Sequence, residues 1–293
     1  MKNADKIKGC VYGGALGDAF GYRKNNKEAV EYSDNTERVL FTSRGLTECK
    51  DIHFLDSIYE SYVDWCDSKN IQSNEKGSIY YSVNENSDYR GLVGVAPVGI
   101  YFDTSDKDDD TRVQVGLLGA QTAAITNGHP IGYIPAFGLA YIINDLMYSK
   151  DSIKTSVDKL ISIIKSDDVD LCNKQYEKEF LELLNKTVDL VNNNNIDSDN
   201  IHTISNFGSI ENSDIAFAIA LYCCLRYEDN CEKAVETAVS YNRENSSTGA
   251  IAGNIIGAKV GYNSIPDKYK KSIKSTDLLD KASEELFNSS ILN

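Results

Sequence analysis

The sequence predicts an all-α protein, and three observations carry that expectation. Apolar residues recur at helical three- and four-residue spacing along most of the 293 positions. No alternating pattern longer than four residues reads as a strand, Gly77-Ser-Ile-Tyr-Tyr-Ser-Val83 being the nearest approach. Four prolines are few for such a length, and their scarcity favours long uninterrupted helices. No linker of low complexity divides the chain, so residues 1–293 are expected to form a single domain.

The first helix is marked by a glycine at every fourth residue, Gly9, Gly13, Gly17 and Gly21. Residues four apart share one helix face, so the stripe is a smooth groove that another backbone can approach. Each interior glycine costs about 1 kcal/mol against alanine, which suggests that close packing offsets it. The same spacing returns at Gly249, Gly253, Gly257 and Gly261. Either the two striped helices meet at the centre of the fold, or each packs on a different neighbour. Between them, Phe54, Leu55, Ile58, Tyr59, Tyr62, Val63 and Trp65 predict one helix, and Val113, Leu117, Ala120, Ala124 and Ile125 another. Further helices are expected over 39–46, 135–148, 152–166, 174–191, 213–226, 231–241 and 276–287. The run Asn192-Asn-Asn-Asn195 reads as a loop.

Composition excludes several classes of function. Forty-four acidic against 30 basic side chains give a net charge of −14, which a phosphate backbone would repel, so no nucleic-acid partner is expected. Only Lys268 to Lys274 is locally rich in lysine. No segment approaches the roughly 18 apolar residues that span a bilayer, and the first residues lack the order of a secretion signal. The seven cysteines have no regular spacing, and Cys223-Cys224 is a poor geometry for a bridge. They read as reduced thiols of a cytoplasmic protein. With three histidines, a histidine-based zinc site is not expected.

Three polar clusters stand out: Tyr32-Ser-Asp-Asn-Thr-Glu37, Thr126-Asn-Gly-His-Pro130, and Asn242-Arg-Glu-Asn-Ser-Ser-Thr248 ahead of the second glycine stripe. Two oxygen-rich turns at helix starts can converge on a hard cation. The plainer alternative is that Ser33, Asp34 and Ser247 or Thr248 cap helices. Asp108-Asp-Asp-Thr111 is assigned to capping, because acidic residues suit a helix N-terminus.

Gly13-Gly-Ala-Leu-Gly-Asp-Ala-Phe-Gly21 and Ser33-Asp-Asn-Thr36 with Leu40-Phe-Thr-Ser-Arg-Gly-Leu46 resemble the opening blocks of the ADP-ribosylglycohydrolase family. Val95-Ala-Pro-Val-Gly99, Ala124-Ile-Thr-Asn-Gly-His-Pro-Ile-Gly-Tyr133, Ser247-Thr-Gly-Ala-Ile-Ala-Gly-Asn254 and Asn263-Ser-Ile-Pro-Asp-Lys-Tyr269 follow in the family's order. The resemblance implies a compact orthogonal multi-helix bundle that cleaves ADP-ribose from modified acceptors with two magnesium ions. It also implies a metal site at Ser33, Asp34, Asn35, Glu244, Ser246 and Ser247, and ligand contacts at Asn25, Arg90, Gly94, Asn127 and His129.

Departures from the family pattern fall on those positions. The first metal motif usually has two successive aspartates, where this chain has Asp34-Asn35; the second usually has Asp-x-Asp, where it has Glu244-Asn-Ser246. Two carboxylates would then face two dications, so the binuclear centre is expected to be lost, leaving no magnesium or one ion. Asn25 stands where a loop glutamate is usual, with Glu28 and Glu31 as nearby substitutes. Gly94 stands where an arginine is usual, with Arg90 as a displaced charge, and Asn127 replaces a histidine while His129 remains. The expectation is a catalytically impaired or inactive relative that binds an ADP-ribose-like ligand or a basic protein such as an ADP-ribosyltransferase. The alternative is an active, divergent, metal-dependent ADP-ribosyl hydrolase with Asp34 and Glu244 as its catalytic carboxylates.

Overall fold

The two glycine-striped helices pack on each other. In the computed structural model, which describes residues 2–22, 30–69, 85–166, 169–193, 200–208, 212–240 and 245–289, helix α1 (Ala4–Gly21) carries the first stripe. Helices α2 (Asp34–Glu48), α3 (Phe54–Ser68), α4 (Arg90–Val93), α5 (Ala96–Tyr101), α6 (Asp109–Ala124) and α7 (Pro130–Tyr148) follow. The remainder is α8 (Ile153–Ser166), α9 (Lys174–Asn193), α10 (Asn200–Ser205), α11 (Ser213–Arg226), α12 (Cys231–Val239), α13 (Ser246–Val260), α14 (Asp267–Lys270) and α15 (Thr276–Asn288). Among the described residues the only β-type pairings are two isolated bridges, Val30 with Ile273 and Asp88 with Asn212.

The α1–α13 contact is antiparallel and in register. A Cβ built on Gly13 would lie 2.2 Å from the Gly253 carbonyl oxygen, one on Gly17 1.9 Å from that of Gly249, and one on Gly257 2.1 Å from that of Gly9. Backbone thus occupies the volume a side chain would need. Around this seam, α7 and α11 are buried on every side, as are most residues of α1 and α13. The outer helices α3, α8, α9 and α15 bury one face only, through residues such as Ile58, Leu160, Leu184 and Leu279. No helix among the described residues is long and apolar enough to cross a membrane.

Several boundaries differ from the sequence expectation. The helix expected from 135 begins at Pro130, because His129 caps it through Nδ1 accepting from the Ile131 amide (3.2 Å) and proline suits the first turn. The stretch expected over 39–46 runs from Asp34 to Glu48, since Ser33 caps it by accepting from the Asn35 amide. Ser247 and Thr248 are not caps but lie inside α13, whose cap residue is Asn245. Asn192 and Asn193 still belong to α9, and residues 194–195 lie outside the described set, as does the 77–83 segment. Asp108 does cap α6, its carboxylate accepting from the Thr111 amide and hydroxyl.

Candidate functional site

The start of α2 hangs on one buried carboxylate. Asp18, fully buried on α1, accepts from the Ser33 amide (2.7 Å) and hydroxyl (2.6 Å). It also accepts from the Thr36 amide (3.2 Å) and hydroxyl (2.7 Å), and from Asn35 Nδ2 (3.2 Å). Burial pushes the Asp18 carboxyl above its usual range, and the Ser33 and Thr36 donors pull against that shift. The Ser33 amide at the α2 N-terminus is satisfied in this way, and the Thr36 amide gains a second acceptor beside the Ser33 carbonyl.

Asn35 carries the connection onward. Its Nδ2 donates both to Asp18 and to the Ser246 hydroxyl (3.1 Å) at the first position of α13. An ionised carboxylate only accepts, so contact with Asp18 sets which end of the amide faces inward. The ends of α1 and α13 also touch directly: a Cβ on Gly21 would fall 2.5 Å from the Asn245 carbonyl and from Ser246 Cα. Thr248 Oγ1 donates to the Ala238 and Asn245 carbonyls, while among the described residues the buried Ser247 hydroxyl has no hydrogen-bond partner. Asp34, one residue before this cluster, is exposed in the first turn of α2.

A second cluster gathers at α4. Asn127 is buried, and its Nδ2 donates to the Asp88 carbonyl (3.0 Å) and carboxylate (2.9 Å), while its Oδ1 accepts from Thr126. The side chain therefore positions the Asp88 turn and has no face open to a ligand. Arg90 opens α4 and pairs loosely with Asp88 at 3.5 Å. Gly94 ends α4 beneath Tyr62, whose hydroxyl would lie 2.8 Å from a Cβ there. His129, besides capping α7, places Nε2 3.4 Å from the Tyr176 hydroxyl. Since α4 packs against both α2 and α13, the two clusters border each other.

Among the residues expected at a site, Ser33, Asn35 and Ser246 come together, with Asp34 and Ser247 alongside. Glu31 lies apart, exposed and paired with Lys274 at 2.7 Å. Asn25, Glu28 and Glu244 fall outside the described residues. The sequence reading missed Asp18 and Thr36 as organising groups. The available signal was a lone carboxylate inside a run of glycines and alanines on a helix expected to be buried.

The model of the family described as ADP-ribosylglycohydrolase matches residues 1–292. Solved structures agree in shape: 45 chains match. One, titled ADP-ribosylglycohydrolase-related protein complex, superposes with a TM-score of 0.67 at 15% identity, covering 97% of both chains. At that identity the likeness shows the fold alone. No curated protein matches the sequence.

Proposed function

The chain belongs to the ADP-ribosylglycohydrolase family, and from that premise we propose that it is a binding protein of the family fold. It recognises an ADP-ribose-like ligand where the starts of α2 and α13 meet, and does not hydrolyse it. The observation that carries this reading is Asn35. Its amide N–H groups reach from the start of α2 to Asp18 and to Ser246 at the start of α13, so a donor lies between the helix ends that a shared cation would have to bridge. Magnesium needs oxygen lone pairs in octahedral array, and affinity rises with ligand charge. Here the Ser33 hydroxyl is committed to Asp18. Among the described residues no three histidine, cysteine or acidic side chains gather as a metal group. That donor set fits a magnesium centre poorly, and hydrogen bonds hold together what a cation would otherwise organise.

The net charge of −14 supports a basic protein as carrier of the ligand, because opposite charge speeds encounter. Calorimetric titration with magnesium, manganese and ADP-ribose, alongside a hydrolysis assay on ADP-ribosyl-arginine, tests the proposal. The expected result is ADP-ribose binding without metal and no turnover. In the double variant Asn35→Asp, Ser246→Asp, metal binding is expected to appear. Metal-dependent turnover by the wild type would instead establish the hydrolase reading, for which the exposed Asp34 carboxylate at the head of α2 is the favouring observation.

A further inference from the structure

We propose that Arg38 and Arg90 form an anion clamp that takes the diphosphate of the ligand, with Trp65 as its platform. This rests on the binding role just proposed and assigns the chemistry of its charged part. Arg38 lies one turn beyond Asp34 on α2, and its guanidinium carbon sits 4.6 Å from the centre of the Trp65 ring. The platform is itself held, since the Trp65 indole N–H donates to Glu37 Oε2 at 2.9 Å. A guanidinium held against the ring in this way is restrained there, and planar forked donors of this kind recognise phosphate.

Among the described residues no acid pairs directly with that charge. Glu37 is engaged by Trp65 and by Lys69 at 2.7 Å, and Asp88 is shared between Asn127 and Arg90. Among the described residues Arg38 makes no ion pair, and its buried Nη1 has no hydrogen-bond partner. Burial, together with the nearby Arg90 charge and opposed by Tyr62 and Asp88, pushes the Arg38 guanidinium below its usual range. Two cations thus share one already occupied carboxylate, on a chain whose net charge is −14. A buried donor left unpaired is costly, and a bound dianion would satisfy both arginines at once.

Gly94 makes the arrangement possible. A Cβ at that position would stand 3.5 Å from Arg38 Cβ and 2.8 Å from the Tyr62 hydroxyl. That hydroxyl is in turn tied to Thr42 Oγ1 at 2.7 Å. A side chain at 94 would therefore compete with Tyr62 for the space beside Arg38.

Trp65 is the chain's single tryptophan, so its fluorescence reports directly on the clamp. The test titrates the full chain with inorganic pyrophosphate, ADP-ribose and adenosine at constant ionic strength, following tryptophan emission and heat. Pyrophosphate and ADP-ribose are expected to bind and shift the emission, and adenosine to leave it unchanged. Arg38→Met should weaken both anions by about ten- to a hundredfold, and Arg90→Met by about tenfold. Arg38→Lys, which keeps the charge without the fork, should fall between wild type and Arg38→Met. Far-ultraviolet circular dichroism confirms that each variant is folded. Pyrophosphate or ADP-ribose bound equally well by wild type and Arg38→Met would overturn the clamp, as would a wild type indifferent to pyrophosphate. Pyrophosphate binding that needs Arg38, without any ADP-ribose binding, would support the clamp and overturn the ligand reading.

Discussion

Asp18 does more for the candidate site than the residues that the family motifs single out. Five donors converge on its two oxygens, and they come from Ser33, Asn35 and Thr36 around the start of α2. Asp18→Ala would take the acceptor from the Ser33 amide, from the Ser33 and Thr36 hydroxyls and from one Asn35 N–H, leaving the Thr36 amide only the Ser33 carbonyl, and a loss of about 3 kcal/mol is expected. Ser33→Ala removes one hydroxyl, and a loss of about 1 kcal/mol is expected. Urea denaturation should show both as shifts in midpoint at constant slope. If Asp18→Ala costs no more than Ser33→Ala, the carboxylate does not organise the α2 start. The sequence displayed this carboxylate inside a glycine-rich block, but its partners lie 15 to 18 residues away. Neither helical periodicity nor local capping rules connect residues across that distance. Ser33 as a cap, by contrast, was legible, because the capping bond is local.

At the scale of elements, the glycine stripe gives the sharpest prediction. A Cβ on Gly253 would stand 1.9 Å from the Gly13 carbonyl oxygen, which is backbone and cannot turn aside. Gly253→Ala must therefore separate α1 from α13, and a loss of several kcal/mol is expected, well beyond the roughly 1 kcal/mol that alanine gains in helix propensity. Gly138→Ala on α7 is the matched control. Its Cβ would meet Leu160, Phe217 and Phe180 side-chain tips at 3.2 to 3.4 Å, so small shifts accommodate it, and its stability should stay within about 1 kcal/mol of wild type. Thermal or urea unfolding of the two variants checks the contrast, and equal behaviour would mean that the seam tolerates separation. The stripes themselves were legible, since a four-residue period of glycine needs no tertiary information. Their pairing was not, because nothing in either stripe names its partner. The start of α7 was obscured for a different reason. Pro130 and Gly132 look like loop residues, and only the His129 cap and the first-turn position of Pro130 make them helical.

For the whole molecule, six motif blocks in order were enough to identify the fold, since the family match runs over residues 1–292. The direction of the hydrogen bonds inside the site was not readable. Whether Asn35 offers oxygen or N–H depends on Asp18 and Ser246, which lie on other helices. The same distribution of residues over helices supplies a probe of how the molecule opens. All seven cysteines are free thiols; Cys172 is exposed and Cys49 partly so, while Cys10, Cys66, Cys223, Cys224 and Cys231 are buried. Burial pushes the Cys10, Cys223 and Cys224 thiols far above their usual range, and Cys231 up to about 11, so none of these supplies thiolate while folded. Cys10 belongs to α1, whose seam with α13 includes Asn254 Nδ2 donating to the Cys10 carbonyl at 2.9 Å. Cys224 on α11 meets the other side of α13, its thiol 3.4 Å from the Ala252 carbonyl. Both cysteines thus pack against the same helix, and their thiols are expected to become accessible when α13 leaves its seat. Pulsed alkylation with mass spectrometry should label Cys172 at once and Cys49 next. Cys10, Cys223 and Cys224 should follow together, in the phase in which helical circular dichroism is lost. Labelling of Cys10 ahead of the cysteine pair on α11 would show instead that α1 peels from the glycine seam while the rest of the molecule stays folded.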